Sequence, residues 1–237
     1  MKIKVRVMDN KEKETEREKR QELEIKDYRE ETKKILLSLA RKAIERYLEK
    51  VEEGIIVPPH EIIEEKISEK VKREAKSEEE EEEEEEISIS DEILKELDDE
   101  KGVFVTLRKN GEVRGCIGTL KEDKLWIQVQ KYAVFSAFND PRFPPLRKDE
   151  LPQIKIEISV IENIEDVKDV SEIKLGEHGI ILDMGGKGGV LLPEVAIEHN
   201  VKTPEDFLDM LCKKIGVQKG LWKKGKIKKF KTKKISE

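Results

Sequence analysis

The thiol with the most suggestive neighbours is Cys116, set in the run Arg114-Gly115-Cys116-Ile117-Gly118. Strand alternation would put Arg114, Cys116 and Gly118 on one face, with Ile117 on the other. A guanidinium two residues from a thiol favours the thiolate, which is the nucleophilic form. Gly115 and Gly118 would leave the sulfur uncrowded, because glycine inside a strand marks a bulge or the close approach of a backbone or ligand. The plainer reading makes Cys116 a small buried hydrophobe and the glycines an aid to tight packing. Asp140 and Arg142 stand on a loop stiffened by Pro141, Pro144 and Pro145. Such a loop either presents charge to a ligand or is itself fixed by an ion pair. His178, between Glu177 and Gly179, is a candidate general base, although a lone histidine serves structure as readily. The histidines are His60, His178 and His199. None is spaced with cysteine like a metal site, so no metal is expected.

These residues must be positioned by a mixture of strands and helices. Leu36, Leu39, Ala40, Ala43, Ile44, Tyr47, Leu48 and Val51 recur at helical spacing and predict an amphipathic helix over 27–51. Ser90 or Asp91 caps a short helix through Leu97, which Gly102 would close. Residues 103–107 and 112–120 read as strands joined by Asn110-Gly111, the strongest two-residue hairpin signal. A helix from Leu125 to Phe138 follows, then a strictly alternating strand at 154–161. Residues 180–183 and 190–192 flank Gly185-Gly186-Lys187-Gly188-Gly189. That run lacks the Lys-Ser/Thr ending of a phosphate loop and reads as a hairpin tip. Pro193 opens a short helix, and Thr203 with Pro204 opens another that Gly216 ends. Strands and helices are interspersed with antiparallel pairing, so the expected class is α+β.

Composition narrows the function classes. Charged residues make up 43% of the 237, far above the ~25% usual for globular domains. Lys and Arg number 48 against 54 Asp and Glu. Nine of those acids form the uninterrupted run Glu78 to Glu86, and setting them aside turns the net charge from −6 to +3. Adjacent like charges repel and offer no apolar face, so about 72–89 reads as a solvated insertion. Residues 1–26 read as a charged N-terminal arm, beginning with a short alternating stretch at 3–7. Residues 60–76 carry weaker helical spacing. Neither a membrane span nor a signal peptide is visible. Two cysteines are too few for a disulfide framework and point to a reducing cytoplasmic setting. Abundant Lys and Glu with few Met and Cys fit a thermophilic protein.

Val113-Arg114-Gly115-Cys116-Ile117-Gly118 closely resembles the signature hexapeptide of the AMMECR family, the family of the AMME-syndrome candidate protein. Further blocks resemble that family in the same order: Phe104 to Leu107, Asp140 to Leu146, Glu157 to Val160, Gly176 to Ile180, Leu191 to Ala196, and Cys212 to Trp222. The likeness covers roughly 27–237. The sequence departs from it at Val113, where leucine is usual, and in the linker at 60–90. The resemblance implies an α+β fold in two unequal subdomains, with an antiparallel sheet, packed helices and both chain ends in the larger part. The signature would then lie near the cleft between the parts. It implies no established reaction and no known cofactor. It does imply protein partners of Memo type or radical-SAM type.

Three functional readings follow. In the first, the chain is an enzyme or enzyme accessory with a small-molecule cleft. Cys116, Arg114 and His178 would be the catalytic candidates, and Gly115, Gly118, Asp140 and Arg142 would bind the ligand. Acyl transfer and thiol redox chemistry both suit these residue types. In the second, the chain is a non-catalytic protein-binding scaffold and Cys116 is packing. In the third, the lysines from Lys219 to Lys234, with Trp222 and Phe230 interleaved, grip nucleic acid. Ile227 and Phe230 look like core anchors of a terminal element, which makes nucleic acid the least expected partner.

Overall fold

The computed structural model describes residues 27–55, 58 and 90–237. The readings made for 1–26, for 60–76 and for the acidic run lie outside the described residues. Helix α1 (Glu30–Glu52) buries Leu36, Leu39, Ala40, Ala43, Ile44 and Leu48 along one side, as its apolar spacing requires. Helix α2 (Asp91–Leu97) starts where the Ser90 hydroxyl accepts the Ile93 N–H. It ends at Asp98, not at Gly102 as the sequence suggested. Gly102 is instead part of β1 (Glu100–Lys109), where a side chain would run into the Thr119 carbonyl at 2.6 Å.

Strand β1 turns into β2 (Glu112–Lys124) through Asn110 and Gly111, with φ of 53° and 85°. Both values are positive, as a type I′ turn demands. Helix α3 (Leu125–Phe138) follows directly, and then β3 (Ile154–Asp166). Strands β4 (Gly179–Asp183) and β5 (Gly188–Leu191) form the second hairpin. Helix α4 (Pro193–Glu198) and helix α5 (Pro204–Lys214) come next. The Thr203 hydroxyl caps α5 by accepting the Asp206 N–H at 3.1 Å. The chain closes with β6 (Lys226–Ser236).

The strands form one curled sheet in the order β2-β1-β3-β6-β4-β5, with every neighbouring pair antiparallel. The fold is α+β, as the sequence indicated. Helices α1 and α3 pack on each other and on β1 and β3, enclosing Val103, Val105, Leu107, Ile156 and Ile158. Helix α5 packs on β4 and β5, enclosing Ile180, Leu182, Phe207, Leu208, Leu211 and Cys212. A third, smaller apolar cluster joins Ile161, Leu192 and Phe230 with Phe104, Cys116, Leu120, Ile181 and Val190. It draws on β2 at one edge of the sheet and β5 at the other, so the curl brings the two ends of the sheet together around Cys116.

Four lysines of β6 are matched to acids. Lys228 pairs with Asp166 at 3.5 Å, Lys229 with Glu172 at 3.3 Å, Lys233 with Glu162 at 3.3 Å and Lys234 with Glu157 at 3.0 Å. Because β3 supplies three of these acids, much of the tail's charge is answered within the sheet.

Candidate functional site

The face on which Cys116 sits is decided by one extra residue. Val113 opposes Arg108 and Gly115 opposes Leu107, so Arg114 is a bulge with no partner of its own. Alternation therefore breaks between Arg114 and Cys116, and the expected pairing of the two on one face does not occur. Cys116 opposes Thr106, whose hydroxyl donates to Sγ at 3.2 Å. Arg114 reaches Glu150 instead, with Nε at 3.1 Å and Nη2 at 3.0 Å from the two carboxylate oxygens. Its Nη2 also donates to the Pro144 carbonyl at 2.9 Å. Glu150 is buried, and Arg114, aided by Lys109, holds its carboxyl down at about 2. Arg114 is therefore the anchor of the 140–150 loop and not the activator of the thiol.

The glycines have different work from that expected. A Cβ on Gly115 would sit 2.0 Å from the Ser136 carbonyl oxygen of α3, so the missing side chain lets the helix lie against the strand. The Ser136 hydroxyl uses that closeness, accepting the Ile117 N–H at 2.9 Å and donating to the Val105 carbonyl at 2.7 Å. A Cβ on Gly118 would meet the Phe104 ring at 2.3 Å. Packing accounts for the missing side chain at both positions, which were expected to bind a ligand.

Asp140 is the clasp of the site. Strand β2 lies at the sheet edge, where outward N–H groups lack a strand partner. The N–H of Cys116 donates to Asp140 Oδ2 at 2.9 Å, and the same carboxylate takes Arg142 through Nη2 at 2.7 Å and Nε at 2.9 Å. Asp140 is 4% exposed, while the Arg142 side chain is 57% exposed. Burial would raise the Asp140 carboxyl, but its bonds to Arg142 and to the Cys116 N–H outweigh this and lower it. Arg142 in turn points Nη2 at the Cys116 carbonyl at 3.4 Å. The ring of Phe143 lies 5.3 Å from this guanidinium and 5.9 Å from that of Arg114, within cation–π reach of both.

Two groups that sequence reasoning missed complete the surroundings. Lys214, at the end of α5, donates to the Val190 carbonyl at 2.8 Å. The residue is exposed overall, yet its ammonium feels the charges of Cys116, Arg142 and Asp140, and desolvation lowers its pKa. Glu194, at the start of α4, acts on Cys116 with the opposite sign. Burial pushes the Cys116 thiol up, while the Thr106 hydrogen bond, Arg142 and Lys214 pull it back in part. No sequence spacing could have placed Lys214 here, because it arrives from nearly a hundred residues away by the curl of the sheet. Thr106 was within reach of hairpin counting, but only with the bulge known.

His178 belongs elsewhere. It is buried, and its Nδ1 accepts the Lys174 N–H at 3.1 Å, tying its own loop. The groups acting on it are Lys229, Lys231, Glu177 and Lys174, a different set from those around Cys116. Burial and those lysines lower its pKa, and the hydrogen bond from the Lys174 N–H occupies its Nδ1. Among the described residues no cluster of three or more His, Cys, Asp or Glu could hold a metal ion, and no helix is long and apolar enough to cross a membrane.

Comparison with known proteins agrees with this architecture. A protein of Methanosarcina barkeri is 38% identical over 140 residues, 56% of this chain and 69% of that one. A protein of Nanoarchaeum equitans is 37% identical over 142 residues, 56% of this chain and 78% of that one. The crystal structure of an uncharacterised protein from Pyrococcus horikoshii matches with a TM-score of 0.66 and 30% identity, covering 90% of this chain and 93% of that one. The AMMECR1 family model matches residues 37–235, with the Cys116 strand and its Asp140–Arg142 clasp inside the match, and the chain belongs to that family.

Proposed function

We propose that the chain takes a small anionic molecule onto the face of Cys116 and uses the thiol as a nucleophile towards it. The supporting observation is that Asp140 binds both the Cys116 N–H and the Arg142 guanidinium, fixing a half-exposed cation beside the thiol. Arg142 spends Nε and Nη2 on Asp140 and keeps Nη1 for an anion. Burial raises the thiol, and the positive charges of Arg142 and Lys214 oppose that effect. Loss of its proton to solvent gives a thiolate near these two cations, the condition for attack on an electrophilic carbon. Cys212 lies fully buried in the other core, so the arrangement favours acyl transfer or alkylation over dithiol redox chemistry.

Two alkylating agents that differ only in charge test the reading. In the native chain, iodoacetate should gain on iodoacetamide at Cys116 relative to a free cysteine peptide, and Arg142→Met should erase the gain. Modification of Cys116 only after unfolding would show the thiol to be packing.

One observation favours a second reading. Cys116 packs against the apolar cluster of Ile161, Leu192 and Phe230, and the glycines around it are explained by packing. In that case the face is a docking surface of a non-catalytic scaffold, for partners of the Memo or radical-SAM type that the family resemblance implies.

A further inference from the structure

A second bulge lies beside a groove that shares Leu120 and Ile181 with the third cluster. In β3, Glu162 opposes Lys231 and Glu165 opposes Lys229, so Asn163 and Ile164 together face the single residue Phe230. Asn163 has a φ of 49°, in the left-handed region that asparagine tolerates better than most residues. Bulges re-aim side chains, and here the result is an isoleucine that is 39% exposed. Ile164 lines a groove of about 290 Å³ with Leu120, Ile181, Asp183, Lys226 and Lys228. That volume lies near the lower end of the ~300–1,000 Å³ that holds small ligands.

The walls and the rim differ in chemistry. Leu120, Ile164 and Ile181 make an apolar floor, and Leu120 and Ile181 also belong to the cluster that contains Cys116. The rim sets two lysines, Lys226 and Lys228, against the one carboxylate of Asp183. Lys226 stands directly across the strand pair from Asp183, yet no ion pair joins them, and Lys226 has no acidic partner among the described residues. Asp183 spends Oδ1 on the Gly185 N–H at 2.8 Å. Lys228 holds Asp166 only at 3.5 Å, in an exposed pair that an arriving anion could exchange.

We propose that this groove binds a small amphiphile with one short unbranched apolar chain and an anionic head. The chain lies on Leu120, Ile164 and Ile181, and the head is held by Lys226 and Lys228. An apolar floor with a few convergent polar groups at one end is the usual composition of a small-molecule site. A cationic head would meet two lysines of like sign. Cys116 does not line the groove, and the proposal does not require it to react.

The test is a titration of the full chain with sodium octanoate, octylammonium chloride and sodium acetate, followed by NMR of the methyl signals of Leu120, Ile164 and Ile181. Octanoate should shift all three saturably, octylammonium should bind at least about tenfold more weakly, and acetate should leave them unmoved. Ile164→Asp and Lys226→Glu change exposed side chains, so both variants should keep the wild-type melting temperature while weakening octanoate by about tenfold. The proposal is overturned if octanoate shifts none of the three, if octylammonium binds as tightly, if acetate gives the same shifts, or if neither variant weakens binding.

Discussion

The backbone N–H of Cys116 and the guanidinium of Arg142 share one acceptor, the buried carboxylate of Asp140, with Oδ2 at 2.9 Å from the first and 2.7 Å from the second. A single side chain thus replaces the missing strand partner at the sheet edge and sets the charge beside the thiol. Replacing Asp140 with alanine orphans the N–H and frees the arginine. Arg142 is mostly exposed and recovers hydration, so the loss of stability should be about 2–3 kcal/mol and not the full cost of breaking a buried pair. Urea unfolding of Asp140→Ala measures it, and a loss below about 0.5 kcal/mol would show that the clasp is not structural.

The reactivity of the two thiols should differ in rate and in dependence on the arginines. Cys116 is half-buried, whereas Cys212 is fully buried in the α5 core. Native-state alkylation read by site-resolved mass spectrometry should modify Cys116 first, with a pH midpoint above the ~8.5 of an ordinary cysteine. Arg142→Met should push that midpoint higher by removing a nearby cation. Arg114→Met should leave it in place, because the bulge turns Arg114 to Glu150.

Acid should release the loop that carries Arg142. The Glu150 carboxyl sits at about 2 in the folded protein, below its unfolded value of 4.5. Its stabilisation is therefore fully present above pH 4.5 and fades as pH falls towards 2, amounting to about 2–3 kcal/mol. Glu150→Gln should lower stability at neutral pH and flatten its dependence between those limits. Paired urea titrations at several pH values read both effects, and parallel pH curves for the two proteins would contradict the assignment.

Gly115 should prove intolerant of any side chain. Its Cβ position lies 2.0 Å from a backbone oxygen of α3, which cannot rotate away. Gly115→Ala should cost about 2–3 kcal/mol through a forced shift of the helix from the strand. Gly111→Ala meets nothing within 4 Å and suffers only from its positive φ, so about 1 kcal/mol is expected there. Melting temperatures of the two variants give the order, and an equal loss would mean that the helix is not in contact as described.

Local chemistry in the sequence was enough for the elements. The apolar spacing of α1, the Asn110-Gly111 turn, the Thr203 cap and the alternation of β3 are each written within a few neighbouring residues, and the structure carries each one. The resemblance carried by Val113 to Gly118 and the blocks after it was also legible, and the family match agrees with it. The site was legible only as a list of residues. Counting back from the two-residue turn in strict register would set Cys116 opposite Val105, inside the main core, and Arg114 on the same face. The bulge at Arg114 moves the thiol to the face of Thr106 and leaves the arginine behind. A bulge is chosen by what packs on it, here the Ser136 backbone of α3 pressed into the space of Gly115, and no local pattern records that. Lys214 and Glu194 reach the thiol because the sheet curls until its two edges meet around one apolar cluster. Strand and helix propensities act over a few residues, but curvature is set by the whole sheet and the two cores packed on it. For that reason the residue types came from the sequence and their partners came only from the tertiary structure.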